Sequence, residues 1–242
     1  MTNLQQPRPE AWQNRPLFAF IEDGWNNVLA AVHNKNVVAA RLANIDTIFE
    51  DAHKITAPAD IAHLLPAFLF MRSFTSFRAS IMMGLCLPTD SYALQRSCLE
   101  NAGYARLISD DHTLSETWLT RDDSETTRKL IRATFTHAKI RSSIATKDAG
   151  LSEVYQSLYE RCIDFGAHPN EKAVTLNVVK ASLRTSNIQF RLLPGDGPAL
   201  DHAVRTAAQV GICALRIFST IFEKQFDKHG LPARISHASL GF

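Results

Sequence analysis

The chain contains no C-x-x-C pair, and its four cysteines, Cys86, Cys98, Cys162 and Cys213, stand far apart in apolar surroundings. That distribution fits neither a zinc site nor a dense disulfide framework and reads as buried, reduced thiols. Also missing are the G-x-x-x-x-G-K-[ST] phosphate loop, G-x-G-x-x-G, H-E-x-x-H, G-x-S-x-G and the EF-hand loop. P-loop nucleotide hydrolysis, zinc proteolysis and α/β-hydrolase chemistry are thereby disfavoured, and no metal or cofactor is expected. Ten Gly and ten Pro are too few for a collagen-like or low-complexity chain. Charge of one sign is scarce as well: 26 Lys+Arg against 24 Asp+Glu leave +2, so any anion site must be local. Residues 1–15 carry Pro7, Pro9 and Glu10 and no apolar leader core, which predicts a flexible N-terminal segment and a cytoplasmic protein. The stretch Pro66 to Leu87 is long enough to span a bilayer. Arg72 and Arg78 inside it would each cost about 2.5–3.5 kcal/mol at mid-membrane, which favours a buried helix and no membrane association.

What the sequence does have is helical periodicity over most of its 242 residues, of which 45% are hydrophobic. Leu17, Ile21, Trp25, Val28 and Val32 form one apolar stripe behind Pro16. Val38, Leu42, Ile45, Phe49 and Ala52 form a second. Leu64 to Cys86 is apolar nearly all round, as a central helix is, with Pro66 starting or kinking it. A fourth helix opens at Pro88-Thr89-Asp90, with Thr89 or Asp90 as its cap, and Thr113 to Glu116 has capping-box spacing. Asp122 and Glu125 precede one long stretch to about Lys147. Ser152 can cap the next helix, which Gly166 stops with a left-handed turn before Pro169. Val174, Val178 and Val179 serve a helix or a strand equally, and Ser182 to Leu193 suits a small β-hairpin about Thr185-Ser186-Asn187. A final helix of roughly 30 residues runs from Leu200 through Phe226 to Gly230. The expected fold is therefore all-α, a bundle of about seven or eight helices in one domain over residues 16–230, with residues 231–242 as a C-terminal tail.

Two constellations can carry chemistry. On the fourth helix, Arg96-Ser97-x-x-Glu100 places a guanidinium and a carboxylate on one face with Tyr92 and Gly103. It reads either as an anion pocket oriented by Glu100 or as a charge pair that fixes helix register. The second runs from Tyr159 through Arg161 and Asp164 to His168-Pro169-Asn170, a His just past a helix end. There His168 can act as a general base or satisfy helix-terminal carbonyls. Arg161 can bind a phosphate, and Asn170 can cap the next segment or position a substrate. Between Arg121 and Lys147 seven basic residues face three acidic ones, and Arg128, Arg132 and Lys139 share a sector of one helical wheel, as a phosphate-tracking stripe or a solvated face does.

The Arg-Ser-x-x-Glu helix together with Tyr159, Asp164 and the His168-Pro169 turn resembles an uncharacterised bacterial family of all-helical domains. That family is distantly similar to the HEPN (higher eukaryotes and prokaryotes nucleotide-binding) domains. The resemblance covers roughly residues 60–230. It implies metal-independent RNA cleavage by an Arg-x(4 to 6)-His motif assembled across a homodimer, in a toxin or phage-defence setting. Three pairs have that spacing, Arg106…His112, Arg132…His137 and Arg161…His168, about the number chance supplies from 17 Arg and 9 His. At 100° per residue Arg106 and His112 stand about 120° apart and Arg132 and His137 about 140° apart on a helix, so neither pair converges easily. Arg161 and His168 straddle a helix stop and are therefore the expected catalytic pair, with Arg96, Glu100, Asn170, Arg128 and Arg132 as substrate-binding residues. Two other readings stand beside it: a non-catalytic interaction or sensory module that forms a homodimer or binds a partner protein, and a bundle that binds a small anionic ligand.

Overall fold

A computed structural model describes residues 10–12, 15–56, 63–111, 113–180 and 188–241. Its frame is a helical hairpin, α3 (Leu64–Gly84) and α4 (Pro88–Asp110), in numbering where α1 is Pro16–Asn34 and α2 is Asn36–Ile55. Serines let α3 and α4 approach closely: Ser73 Oγ donates to the Cys98 carbonyl at 2.9 Å, and the Ser76 and Ser97 hydroxyls meet at 3.3 Å. Each buried hydroxyl thus has a partner, which removes the cost of burying it. A further short series follows: α5 (Thr113–Leu119), α6 (Glu125–Thr134), α7 (His137–Ala145), α8 (Ala149–Cys162) and α9 (Glu171–Thr175). The chain closes with α10 (Pro198–Ser219), α11 (Glu223–Lys228) and α12 (Leu231–Ser239).

Helix α10 lies against both members of the hairpin and is buried on most of its circumference. Phe49 of α2 stacks on Phe74 and Phe77 of α3, and Phe70 meets Phe218 edge-on at 4.9 Å. A methyl group on Gly211 of α10 would come within 2.4 Å of the Phe77 ring, so the absence of a side chain there sets the α3–α10 separation.

The all-helical bundle read from the sequence is present, but with twelve α-helices among the described residues, not seven or eight. The predicted continuous helix to Lys147 breaks at Phe135-Thr136, because Thr136 accepts a hydrogen bond from the Lys139 amide and starts α7 anew. The predicted 30-residue final helix stops at Ser219, and α11 and α12 follow it as separate helices, both touching α10 and α2. Residues 231–239, expected in a tail, form α12. Its Leu231 and Ile235 are buried, and its Arg234 donates to Asp51 of α2 at 2.9 Å. Two three-residue strands, β1 (Val178–Lys180) and β2 (Ile188–Phe190), pair antiparallel with Val178 opposite Phe190. The first lies upstream of the predicted Ser182–Leu193 hairpin, in the valine run that left helix and strand open. The expected turn at Thr185–Asn187 lies outside the described residues.

Capping differs in detail. Thr89 and Asp90 do not cap α4, whose first turn starts at Pro88 after Leu87. Asp111, not Thr113, supplies the cap oxygen at α5, and Asp148, not Ser152, caps α8. Ser152 is buried and donates to the Arg141 carbonyl instead. All four cysteines are free and buried, and burial pushes the Cys98 and Cys162 thiols up to about 12. No helix among the described residues is long and apolar enough to cross a membrane. Arg78 of α3 is held by Asp46 and Glu50 of α2.

Candidate functional site

The first candidate centre is built where α4 meets α8. Arg96 Nε donates to Glu100 Oε1 at 2.8 Å, as the i,i+4 spacing dictates, and the Tyr159 hydroxyl donates to the same oxygen at 3.1 Å. The Arg96 guanidinium also lies over the Tyr159 ring at 5.3 Å. His137, the first residue of α7, packs its ring 4.1 Å from that of Tyr159 and 5.6 Å from that of Tyr155. Burial, and then the charge of Arg141, holds the His137 imidazole below its ordinary range, so it is neutral at pH 7. The Tyr155 hydroxyl and His137 Nε2 are both buried without a hydrogen-bond partner among the described residues. The arrangement is a charge pair made through Arg96 Nε, with the rings of Tyr159 and His137 packed beside it.

A second centre lies on the other side of α8. Val154, Ser157, Leu158 and Arg161 recur at i, i+3, i+4, i+7, and Gln209, Ile212, Cys213 and Arg216 repeat that spacing on α10. The two faces enclose a cleft of about 290 Å³, to whose lining Ser239 of α12 also contributes. Arg161 donates to Gln209 Oε1 at 2.6 Å and, among the described residues, has no carboxylate partner. Arg216 donates to Asp148 at 3.0 Å. Arg205, one turn before Gln209 on the same face, makes no hydrogen bond or ion pair among the described residues and stands exposed. From Arg205 to Arg216 the helix rises about 16 Å. His202 extends the face: its Nδ1 meets the Tyr92 hydroxyl at 2.6 Å, and its ring lies 4.5 Å from that of Phe165. Burial, then the charges of Arg161 and Arg205, hold its pKa low.

The segment between these centres turns on Gly166, whose φ of 163° is extended and not left-handed. What requires glycine is proximity: a Cβ there would lie 1.9 Å from the Thr89 carbonyl oxygen at the start of α4. This contact carries the turn toward α4, whereas Arg161 faces α10. His168 is consequently exposed, with Nδ1 3.3 Å from the Pro169 carbonyl, and no hydrogen bond joins it to Arg161. Asn170 takes the capping role. Its Oδ1 accepts from the Ala173 amide at 2.9 Å, and its Nδ2 donates to the Ile163 carbonyl at 2.7 Å.

The remaining sequence candidates lie apart. Arg128 is engaged by Asp122 at 3.3 Å and Glu125 at 3.9 Å, and Arg132 is exposed on α6. The break at Thr136 places Lys139 on α7, so the stripe drawn on one helical wheel does not form. The same break separates Arg132 from His137. His137, Tyr155, His202, Arg205, Gln209 and Arg216 were missed as site residues. The i, i+3, i+7 spacing from His202 to Gln209 was the available signal, and it is hidden inside a strongly apolar helix.

No known family model matches this chain, and no curated protein or solved structure matches it either.

Proposed function

We propose that the protein is an RNA-acting helical module of the HEPN-like kind, and that it engages the RNA backbone along Arg205, Arg161 and Arg216. The observation that carries this reading is Arg161, a partly buried guanidinium that faces an open cleft with, among the described residues, a neutral amide as its only hydrogen-bond partner. A guanidinium held in that way presents charge and free N–H donors to a phosphate without first breaking an ion pair. Three arginines along about 16 Å suit an extended polyanion better than one small anion. Asp148 neutralises only the Arg216 end. The proposal is for binding: within one chain His168 forms no bond to Arg161, so the imidazole takes no part in it.

Fluorescence anisotropy with a labelled single-stranded RNA tests the proposal. Three phosphate contacts predict a slope of about −2 in log affinity against log salt, or roughly 20-fold weaker binding at 200 mM than at 50 mM. Arg161→Gln should weaken binding about tenfold or more while its melting temperature stays near the parent's. Unchanged affinity in Arg161→Gln and Arg205→Gln, or no binding at 100-fold excess RNA, would overturn the assignment. Incubation of varied RNAs with EDTA should leave them intact. Cyclic 2′,3′-phosphate ends that disappear with His168→Ala would show instead that the protein cleaves.

A further inference from the structure

A larger cavity, about 430 Å³, opens between α1, α2 and α3, on a different part of the bundle. Helix α1 turns Gly24, Val28 and Ala31 inward and leaves Leu17, Ile21, Trp25 and Leu29 to solvent, and α2 contributes Ala39 and Ala43 to the wall. Val28 and Val32 of α1 face Val38, Ala39, Leu42 and Ala43 of α2 across a groove that the core does not fill. The rest of the lining is aliphatic apart from Lys35, Asp46 and Arg78. A cavity of this size with an apolar wall and few polar groups has the form of a small-molecule site.

The charges at its mouth select among ligands. Lys35 Nζ lies 2.7 Å from both Asp196 and Asp201. Arg78 makes a two-bond fork to Asp46 at 2.7 and 3.0 Å and donates further to Glu50 at 2.8 Å. Two cations are thus opposed by four carboxylates, of which Asp46 lines the groove and Glu50, Asp196 and Asp201 stand just beyond the lining; both cations are already satisfied and the six groups together carry a charge of −2. An incoming carboxylate or phosphate would have to displace an existing partner and would meet that excess.

We propose that the groove between α1, α2 and α3 binds an apolar small molecule bearing one cationic amine, its aliphatic body against Val28, Val38, Leu42 and Ile81 and its ammonium at the Lys35/Arg78 mouth. This site is independent of the arginine line on α8 and α10.

Calorimetric titration of the full chain at pH 7 with n-octylamine, n-octanol and octanoate tests it. The charge argument expects n-octylamine to bind at least tenfold tighter than octanoate, with octanol between them. Ala39→Trp, at a half-buried position on the wall, should fill the groove and abolish n-octylamine binding without lowering the melting temperature. Asp196→Asn with Asp201→Asn, both at exposed positions, should reduce the amine's advantage over octanol and leave octanol affinity unchanged. Equal affinity for the amine and octanoate, undiminished binding in Ala39→Trp, or no heat for the amine at millimolar concentration would each overturn the proposal. None of these outcomes bears on RNA binding.

Discussion

At Gly166 one hydrogen atom decides where a turn goes. A methyl group in its place would meet the Thr89 carbonyl at 1.9 Å, and since the obstacle is backbone, the α4 start or the turn must move. Gly166→Ala should therefore cost about 1–3 kcal/mol. At roughly 2–4 °C per kcal/mol for a chain of this size, thermal denaturation should show a drop of about 2–12 °C. Gly150→Ala is the control: a Cβ there meets only Asp148 Oδ1 at 3.4 Å on an exposed helical turn, so stability should hold or rise slightly. His202 offers a second reading at this scale. The groups that face it are Tyr92, Phe165, Arg161 and Arg205. Its folded pKa lies below the ordinary 6.5, so the unfolded chain takes up a proton that the folded chain refuses. Stability from this group is full above pH 6.5 and falls as pH drops from there toward the folded value. NMR titration should find the His202 pKa below 6.5, rising in Arg161→Gln and rising again when RNA neutralises Arg161 and Arg205. A value that ignores both changes would place the arginines too far from the imidazole to matter.

Among the elements, α6 and α7 show how a single hydroxyl divides a helix. Apolar spacing runs on through Ile131, Phe135 and Ile140, all buried, yet Thr136 Oγ1 accepts from the Lys139 amide and fixes a new N-terminus. Periodicity reports which side of a segment faces the core and is blind to a break that preserves that side. Thr136→Ala should lose about 1 kcal/mol, measured by chemical denaturation. The loss should exceed that of Thr117→Ala, whose hydroxyl bonds only within its own exposed helix. The end of α10 misled in the same manner: Phe218, Phe222 and Phe226 are all buried, and their spacing spans the turn at 220–222 without a gap.

Across the whole molecule, the most consequential polar link joins three helices around a buried charge. Arg106 of α4 is 3% exposed. It pairs with Asp110, and it donates to the Thr220 carbonyl just beyond α10 at 3.2 Å. Ser143 of α7 donates to the other oxygen of Asp110 at 2.5 Å. Asp110→Ala would strand the guanidinium and should cost on the order of 3 kcal/mol by urea unfolding, more than Asp110→Asn, which keeps an acceptor in place. Loss of the same size in both variants would show that the charge itself is immaterial. Arg106 was visible in the sequence only as half of an Arg…His spacing. Asp110 lies one turn away on the same helix, but Ser143 and Thr220 are 37 and 114 residues from Arg106, and no local pattern connects them to it.

Residue spacing alone determined the all-helical class, the apolar faces of α2, α3 and α10, the buried thiols and the Arg96–Glu100 pair, because each depends on contacts one or two turns apart or on the summed preference of a segment for burial. Tertiary structure decided that Arg161 faces the α10 cleft beside Gln209 with no carboxylate among the described residues, that the turn after α8 leads His168 toward α4, and that a groove opens between α1, α2 and α3. These are outcomes of competition between distant partners. Lys35 sits beside Asp196 and Asp201, and Arg161 beside Gln209, only because packing has already brought α10 and its approach against the earlier helices.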